Sequence, residues 1–501
     1  MKIFAIVCCI GFLVIWFLSF LTGINRKGRR PFIAALYILS IVYVSYTGVY
    51  YATNFPDSSP DESAHIAYIH YLDRTGEVIP KFEDMHIFSN QVMKWSEEPN
   101  FEYQTSLVNY LCHPPLYYHI MRLAGGFAPT DSDVVMTIDK MRLRYFSMGI
   151  YILGLALCCY IGWSRIDRTK PWLHLLYVTI ITSVPMLGFE FCSVSNDALT
   201  MLTCGICILG LIRFSEKNRN ILTYGLIALG LTGSLLTKLT AAMLCVIMAV
   251  LVLSFTMIKE RSVKDSLRAG FFITFPIYLL AIAYYAIVIS RYGTIPSLAV
   301  ISSKEYFENT IYYVAQSDRV HYTLGQYIWF YIERFFLSWS GIETAQRFIK
   351  EYIFSPTSLA FELLWLFPVL LFIPRVHSFG KRFALPLGAG WASMVITFIY
   401  QFKSAYGAYL TRGYLGGFAS RYYIPFVMIF GLSAVFIAQS LLIDNGFDSD
   451  TTITTIKGDL KTFSKNLIYN QLIYALTLGF SFVLFYGNFP FFLLHFGKGL
   501  Q

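Results

Sequence analysis

The sequence predicts an all-α protein that crosses a membrane many times, and three observations carry that prediction. Of the 501 residues, 56% are hydrophobic and only 14% charged, and mean hydropathy is +0.55, which leaves too little polar surface to cover a soluble fold. Apolar runs of about 20 residues, the length a helix needs to cross about 30 Å of hydrocarbon, recur along the whole chain. Lys and Arg gather in alternate short connections between those runs, the pattern that sets membrane orientation.

About twelve spans are expected, near residues 3–21, 31–52, 144–163, 172–191, 196–214, 220–236, 239–258, 269–290, 359–374, 383–402, 422–442 and 467–487. The first has one Lys before its apolar run, as a signal peptide would. "SFLTG" is a poor cleavage site, however, and a basic loop and second span follow, so it reads as a retained helix. Residues 220–258 are too long for one crossing, since about 38 residues at 1.5 Å each reach about 57 Å. A break is expected in "TGSLLTKLT" (232–240), where a glycine, hydroxyls and Lys238 interrupt the apolar run.

The basic stretches "NRKGRR" (25–30), "SRIDRTK" (164–170), "RFSEKNR" (213–219), "KERSVKDSLR" (259–268), "PRVHSFGKR" (374–382) and the Lys-bearing 457–465 all fall on one side under strict alternation. That side is read as cytoplasmic. The other face then carries two long loops, 53–143 and 291–358, with short connections at 193–198, around Lys238 and at 403–421. The second long loop holds "QYIWFYIERFFLSW" (326–339), an amphipathic aromatic stretch expected to lie on the membrane surface. Residues 443–466 form a cytoplasmic loop, and 1–501 read as one domain without repeats. The net charge of +9 is mostly accounted for by cytoplasmic loops and implies no nucleic acid.

Most of the nine cysteines lie inside apolar runs, where they act as small hydrophobes. Cys204 and Cys207 form a C-x-x-C within a span, with no second pair to make a zinc site. Cys112 and Cys192 lie near the outer face, and nothing in the sequence supports their pairing. "DSD" (131–133) reads as a helix cap rather than a metal-holding D-x-D.

The ionisable residues outside the basic loops are more informative. Ser59-Pro60-Asp61-Glu62 has the S-x-x-E pattern of a capping box with Pro at the first helical position, so a helix is expected from there to about Arg74. On that helix Asp61, His65, Tyr68 and Leu72 share one face. Asn196 and Asp197 follow Ser195 at the start of another helix, a capping pattern, and His113 precedes Pro114-Pro115 where a helix would end. Residues 403–421 contain Lys403, Arg412 and Arg421 with no acid. Such a basic stretch on the outer face suits a lipid phosphate or anionic head groups. Positive-inside counting places Asp61, Glu62, Asn196, Asp197, Lys238 and Arg421 all on the non-cytoplasmic side, where one site would hold both signs of charge.

"PDESAHIAYIHYLDRTGEVIP" resembles the segment that opens the first outer loop of GT-C superfamily glycosyltransferases, whose members include protein O-mannosyltransferases and lipid A aminoarabinose transferases. "HPPLYYHIMRL" (113–123), "SNDAL" (195–199), "GLTGSLLTKLTAAML" (230–244) and "SRYYIPF" (420–426) are similar to later motifs of that superfamily, in the same order. Two runs precede the acid-bearing loop where one would suffice, so the N-terminus is expected outside. The short segment after the last run argues against an oligosaccharyltransferase.

The resemblance implies an inverting transferase that moves a sugar from a polyprenyl-phosphate donor to a glycan, lipid or protein acceptor on the non-cytoplasmic face, in a bacterial inner membrane. It implies catalytic roles for Asp61, Glu62 and His65, donor-phosphate binding by Lys238, Arg421 and Tyr422, and substrate contacts from Tyr68, His113, Asn196 and Asp197. The sequence identifies no certain cofactor, and a divalent metal at Asp61 or Asp197 stays open. Two other readings share the topology: a surface-polysaccharide polymerase or ligase, and a lipid-linked-sugar transporter or flippase.

Overall fold

The computed structural model describes residues 2–24, 28–54, 61–85, 103–104, 109–128, 135–263, 267–296, 307–308, 310, 312–339, 364–371, 378–442 and 460–496. It is a helical bundle. Helices α1 (Lys2–Ile24) and α2 (Arg29–Asn54) lead into the short helices α3 (Glu62–Thr75) and α4 (Leu116–Arg122). There follow α5 (Lys140–Arg165), α6 (Pro171–Thr182), α7 (Pro185–Phe191), α8 (Asp197–Ser215), α9 (Ile221–Leu235), α10 (Leu239–Glu260) and α11 (Ala269–Tyr292). The remainder comprises α12 (Leu324–Ser338), α13 (Phe367–Leu370), α14 (Ser378–Arg412), α15 (Val427–Leu441), α16 (Leu460–Tyr486) and α17 (Phe489–Phe496). A small antiparallel sheet between α3 and α5, order β1 (Tyr103–Gln104), β3 (Val135–Ile138), β2 (Phe127–Ala128), is an addition to the all-α expectation.

Among the described residues, nine helices are long and apolar enough to cross a membrane, or ten if the α6–α7 pair counts as one. The difference from twelve has local causes. The run 172–191 bends by 63° between α6 and α7, because Pro185 cannot continue the hydrogen-bond ladder of α6. The run 220–236 yields α9, only 15 residues long. Half of the expected span 359–374 lies outside the described residues, and the described half holds only the short α13. The break expected near Lys238 is present: α9 ends at Leu235 and α10 starts at Leu239.

Contacts at the helix ends divide the bundle into two faces. The start of α5 reaches Glu62 through Lys140 and Arg144, while its other end pairs Arg165 with Glu216 beyond α8 (2.8 Å). Arg219, just before α9, grips Glu260 at the end of α10 (2.6 Å). The basic connections 164–170, 213–219 and the described residues 259–263 therefore sit together at the end of the bundle opposite Asp61. On the Asp61 side Tyr292, ending α11, donates to Glu83 Oε2 (2.9 Å).

Small residues let the spans approach closely. A Cβ at Gly230 of α9 would overlap the backbone of Cys207 on α8, so only glycine permits this crossing, as is common between membrane helices. The N-terminal helix packs against the far end of the chain: Ala5, Tyr51, Phe189, Phe489 and Leu493 form one buried cluster in which α17 folds back on α1 and α2.

Helix α12 begins with a true capping box, Thr323 with Gln326. One face buries Tyr327, Tyr331 and Phe335, the first two against Phe402 of α14. Its other side exposes Leu324, Ile328, Trp329 and Ile332, as expected of a helix lying on a membrane surface. Helix α14 extends to Arg412 before Gly413, with φ +70°, ends it. Lys403 and Arg412 are therefore helical rather than part of an outer loop, and Arg412 stacks over Phe307 (5.1 Å).

Candidate functional site

The site forms where α3, α7, the start of α8, the α9–α10 turn and the 3₁₀ segment Ser420–Phe426 meet. Its centre is Arg421. The guanidinium donates from Nη2 to Asp61 Oδ2 (2.9 Å) and faces Glu190 Oε1 from Nη1 (3.5 Å), with Asp197 Oδ2 3.9 Å from Nε. Lys238, held at the mouth of the α9–α10 turn, bonds Asp197 Oδ1 (2.6 Å). Its ammonium lies over the Tyr422 ring at 4.8 Å, a cation–π contact. Three acids thus face two cations. Tyr151, Thr200, Met201, Ile424 and Pro425 complete a narrow crevice with Glu190, Asp197 and Arg421.

Asp61 is the residue before α3 and adopts a left-handed conformation, φ 59°. Asp tolerates this geometry better than most residues, and it turns the carboxylate toward Arg421 instead of capping the helix. Its Oδ1 accepts from Tyr110 (3.3 Å), whose hydroxyl meets that of Tyr312 at 2.8 Å. Burial would raise the Asp61 pKa, but the Arg421 charge and these hydrogen bonds outweigh it and hold the carboxyl below its ordinary value. Asp61 is a carboxylate at neutral pH.

Glu62 does not close the expected capping box, and Ser59 lies outside the described residues. Instead Arg144 grips Glu62 through both oxygens, Nε to Oε1 at 2.8 Å and Nη2 to Oε2 at 2.6 Å. Val194 N–H adds a bond of 2.9 Å and Lys140 an ion pair of 3.2 Å. Arg144 Nη1 also donates to the Ala52 carbonyl, at 2.9 Å. Burial pushes the Glu62 pKa up, and the Arg144 fork more than reverses that. This buried pair ties α2, α3, α5 and the α7–α8 turn together, so Glu62 lies beside the crevice with its oxygens already committed.

His65 is buried and hydrogen-bonds Tyr118 through Nδ1 (2.8 Å), with the His113 ring centred 5.8 Å away. Burial and His113 push it down to about 3, while burial and the Lys238 charge push His113 down to about 4. Both imidazoles are neutral at pH 7. Tyr68 donates to the His113 carbonyl (2.9 Å), which fixes the loop rather than leaving its hydroxyl free. Asn196 makes no cap; its Nδ2 donates to the Thr237 carbonyl (3.3 Å), linking the α7–α8 and α9–α10 turns. The cap-like bonds come from Ser195 Oγ, which accepts from Asp197 N–H and donates to Oδ2 (both 3.2 Å).

Sequence reasoning does not single out Glu190, Tyr110, Tyr312 or Arg144, yet Glu190, Tyr110 and Arg144 contact the predicted residues directly, and Tyr312 reaches Asp61 through Tyr110. Among the described residues no group of three or more His, Cys, Asp or Glu has the geometry to hold a metal ion, and Asp61 and Asp197 face Arg421 and Lys238. Cys112 and Cys192 are both free thiols.

A bundle with nine membrane-length apolar helices among the described residues, burying ion pairs beside the short helices α3 and α7, is an integral multi-pass membrane protein with a polar site at one face. The chain belongs to the DUF2142 family, described as a predicted membrane protein family, whose model matches residues 51–430 and so takes in Asp61 through Arg421. No curated protein matches the sequence. Two solved structures of ArnT from Cupriavidus metallidurans, one bound to undecaprenyl phosphate and one in the apo state, are similar at 12% identity and a TM-score of 0.43. Each match covers 91% of this chain, and 74% and 75% of the ArnT chains respectively.

Proposed function

We propose that this protein is an inverting glycosyltransferase that moves a sugar from a polyprenyl-phosphate donor to an acceptor hydroxyl or amine on the non-cytoplasmic face. The observation that carries this reading is the contact between a carboxylate, Asp61, and a nearly buried arginine, Arg421, at the edge of an apolar bundle. Asp61, Asp197, Lys238 and Arg421, from four distant segments of the chain, meet there.

The chemistry needs these groups. The acceptor oxygen or nitrogen forms a bond to the anomeric carbon while the bond from that carbon to the donor phosphate oxygen breaks. The electron pair leaves with the phosphate, and the acceptor proton passes to Asp61, acting as general base. Arg421 and Lys238 stabilise the departing phosphate with fixed positive charge in a water-poor crevice. A single displacement of this kind inverts the anomeric centre.

His65 is neutral and bonded to Tyr118, so in this reading it supports the acceptor side and does not supply charge. Glu62 positions α3 rather than taking a proton. Tyr422 packs beneath Lys238, and Asn196 and Asp197 hold the turn from which Lys238 reaches the site.

Native mass spectrometry of protein extracted with its lipids tests this reading. Wild type should carry a polyprenyl phosphate, and Arg421→Ala, isolated as folded, monodisperse protein, should lose it. Arg421→Lys should lose most of it too, because an ammonium cannot reproduce the planar fork. Equal lipid retention by wild type and Arg421→Ala would overturn the assignment.

A further inference from the structure

The guanidinium of Arg421 is only partly used. Its Nη2 bonds Asp61 and its Nη1 faces Glu190, but Nε, on the same edge as Nη2, is buried without a hydrogen-bond partner among the described residues. Arg144 shows how that edge is filled elsewhere in this fold: its Nε and Nη2 together hold both oxygens of Glu62. Asp61 does not do the same for Arg421, because its Oδ1 is turned to Tyr110. A tyrosine hydroxyl has one hydrogen. With that of Tyr110 given to Asp61, the 2.8 Å contact to Tyr312 is one in which Tyr312 donates.

The acids around Arg421 also differ in freedom. The Asp61 side chain is 33% exposed, against 0% for Glu190 and 6% for Asp197. Asp61 is the one that can leave without breaking the packed bundle, and a phosphate carries the paired oxygens that match a guanidinium edge.

We propose that Tyr110 is a positioning residue for a partner exchange, in which a prenyl-linked phosphate, a diester in the sugar donor and a monoester once the sugar has left, takes the Nε–Nη2 edge of Arg421 from Asp61, and Tyr110, backed by Tyr312, keeps the released carboxylate in place. This rests on the donor-phosphate reading above. Glu190 and Asp197 stay beside Arg421 throughout. While paired with Arg421, Asp61 is a weak base; once the phosphate has replaced it, the same carboxylate faces the acceptor without its cation. Donor binding therefore precedes and switches on proton acceptance.

A double-mutant cycle on phosphate binding tests the exchange. The full-length protein in nanodiscs is titrated with farnesyl phosphate and, separately, with inorganic phosphate. Asp61→Asn should bind farnesyl phosphate about two- to tenfold more tightly than wild type, because a competing charged contact at a partly exposed site is gone. Tyr110→Phe should bind it more weakly, because the displaced carboxylate loses its remaining partner. In the Asp61→Asn background Tyr110→Phe should have no effect.

Weaker or unchanged binding by Asp61→Asn, with wild-type binding still abolished in Arg421→Ala, overturns the exchange and leaves the donor site standing. A Tyr110→Phe penalty of equal size in both backgrounds makes Tyr110 merely structural and overturns its role. No binding to any variant overturns the donor-phosphate reading itself. Inorganic phosphate binding as tightly as farnesyl phosphate, with the same order of variants, supports the exchange and overturns the lipid as its source.

Discussion

At the scale of single residues, two adjacent acids have opposite surroundings. Asp61 is a third exposed and bonded to groups that can change partners, while Glu62 is buried and held on both oxygens by Arg144. Asp61→Asn should therefore leave the melting temperature close to wild type and reduce sugar transfer by roughly 10²- to 10⁴-fold, the usual contribution of a general base. Transfer above about a tenth of the wild-type rate would return Asp61 to a purely structural place. Glu62→Gln should show the reverse. It leaves the Arg144 charge buried with a neutral partner, and breaking buried pairs costs about 3–5 kcal/mol, so the variant should unfold at a clearly lower temperature. A melting curve that superimposes on wild type would contradict this.

The element scale shows what was legible in the sequence and why the rest was not. Asp61, Lys238 and Arg421 stood out because each is a charge at the border of an apolar run, where few physical reasons other than function place one. Glu190 is equally central but sits inside "PMLGFEF", a stretch that reads as greasy span. The signal is Pro185, which breaks the run and starts a short helix that brings Glu190 to Arg421. Glu62 was misread because S-x-x-E is a good cap pattern, and its true partner lies 82 residues further on, beyond the reach of any local rule. Tyr110 and Tyr312 are two of 36 tyrosines, so only the folded loops distinguish them.

The unit formed by α3, α4 and residues 109–113 also carries a pH dependence. His65 and His113 are held at about 3 and about 4, against about 6.5 in an unfolded chain. Between those values the unfolded chain binds more protons than the folded one, so stability falls as pH drops below about 6.5 and is constant above about 7. The lowered pKa values of Asp61 and Glu62 act in the same direction at lower pH, where the unfolded carboxyls protonate first. Thermal melts from pH 8 to pH 4 should show a plateau and then a decline. His65→Gln with His113→Gln should flatten the part between about 6.5 and 5; an unchanged slope would show that neither imidazole is buried neutral.

At the scale of the whole molecule, the two faces of the bundle are set by which helix ends touch. Arg165–Glu216 and Arg219–Glu260 close one face, and Glu62–Arg144 and Tyr292–Glu83 the other. Single cysteines at Gly28, Asp167 and Asn218, in a variant lacking the native cysteines, should therefore react with a membrane-impermeant maleimide from the same side. Cysteines at Asp84 and Asp318 should react only from the opposite side. A mixed result within either set would dismantle the common site, because Asp61, Lys238 and Arg421 would no longer share a face.

The fold-back of α17 ties the last helices to the first. Phe489 and Leu493 share a buried cluster with Ala5 of α1 and Tyr51 of α2, and Phe12 of α1 stacks on Phe485 of α16 at 4.6 Å. Domains generally fold as they are synthesised, N-terminal parts first, and α1 and α2 find early partners in each other and in α5, α6 and α7. The stripe of α1 that faces α16 and α17 has no such early partner, so this seam closes later than the rest of the contacts that α1 makes.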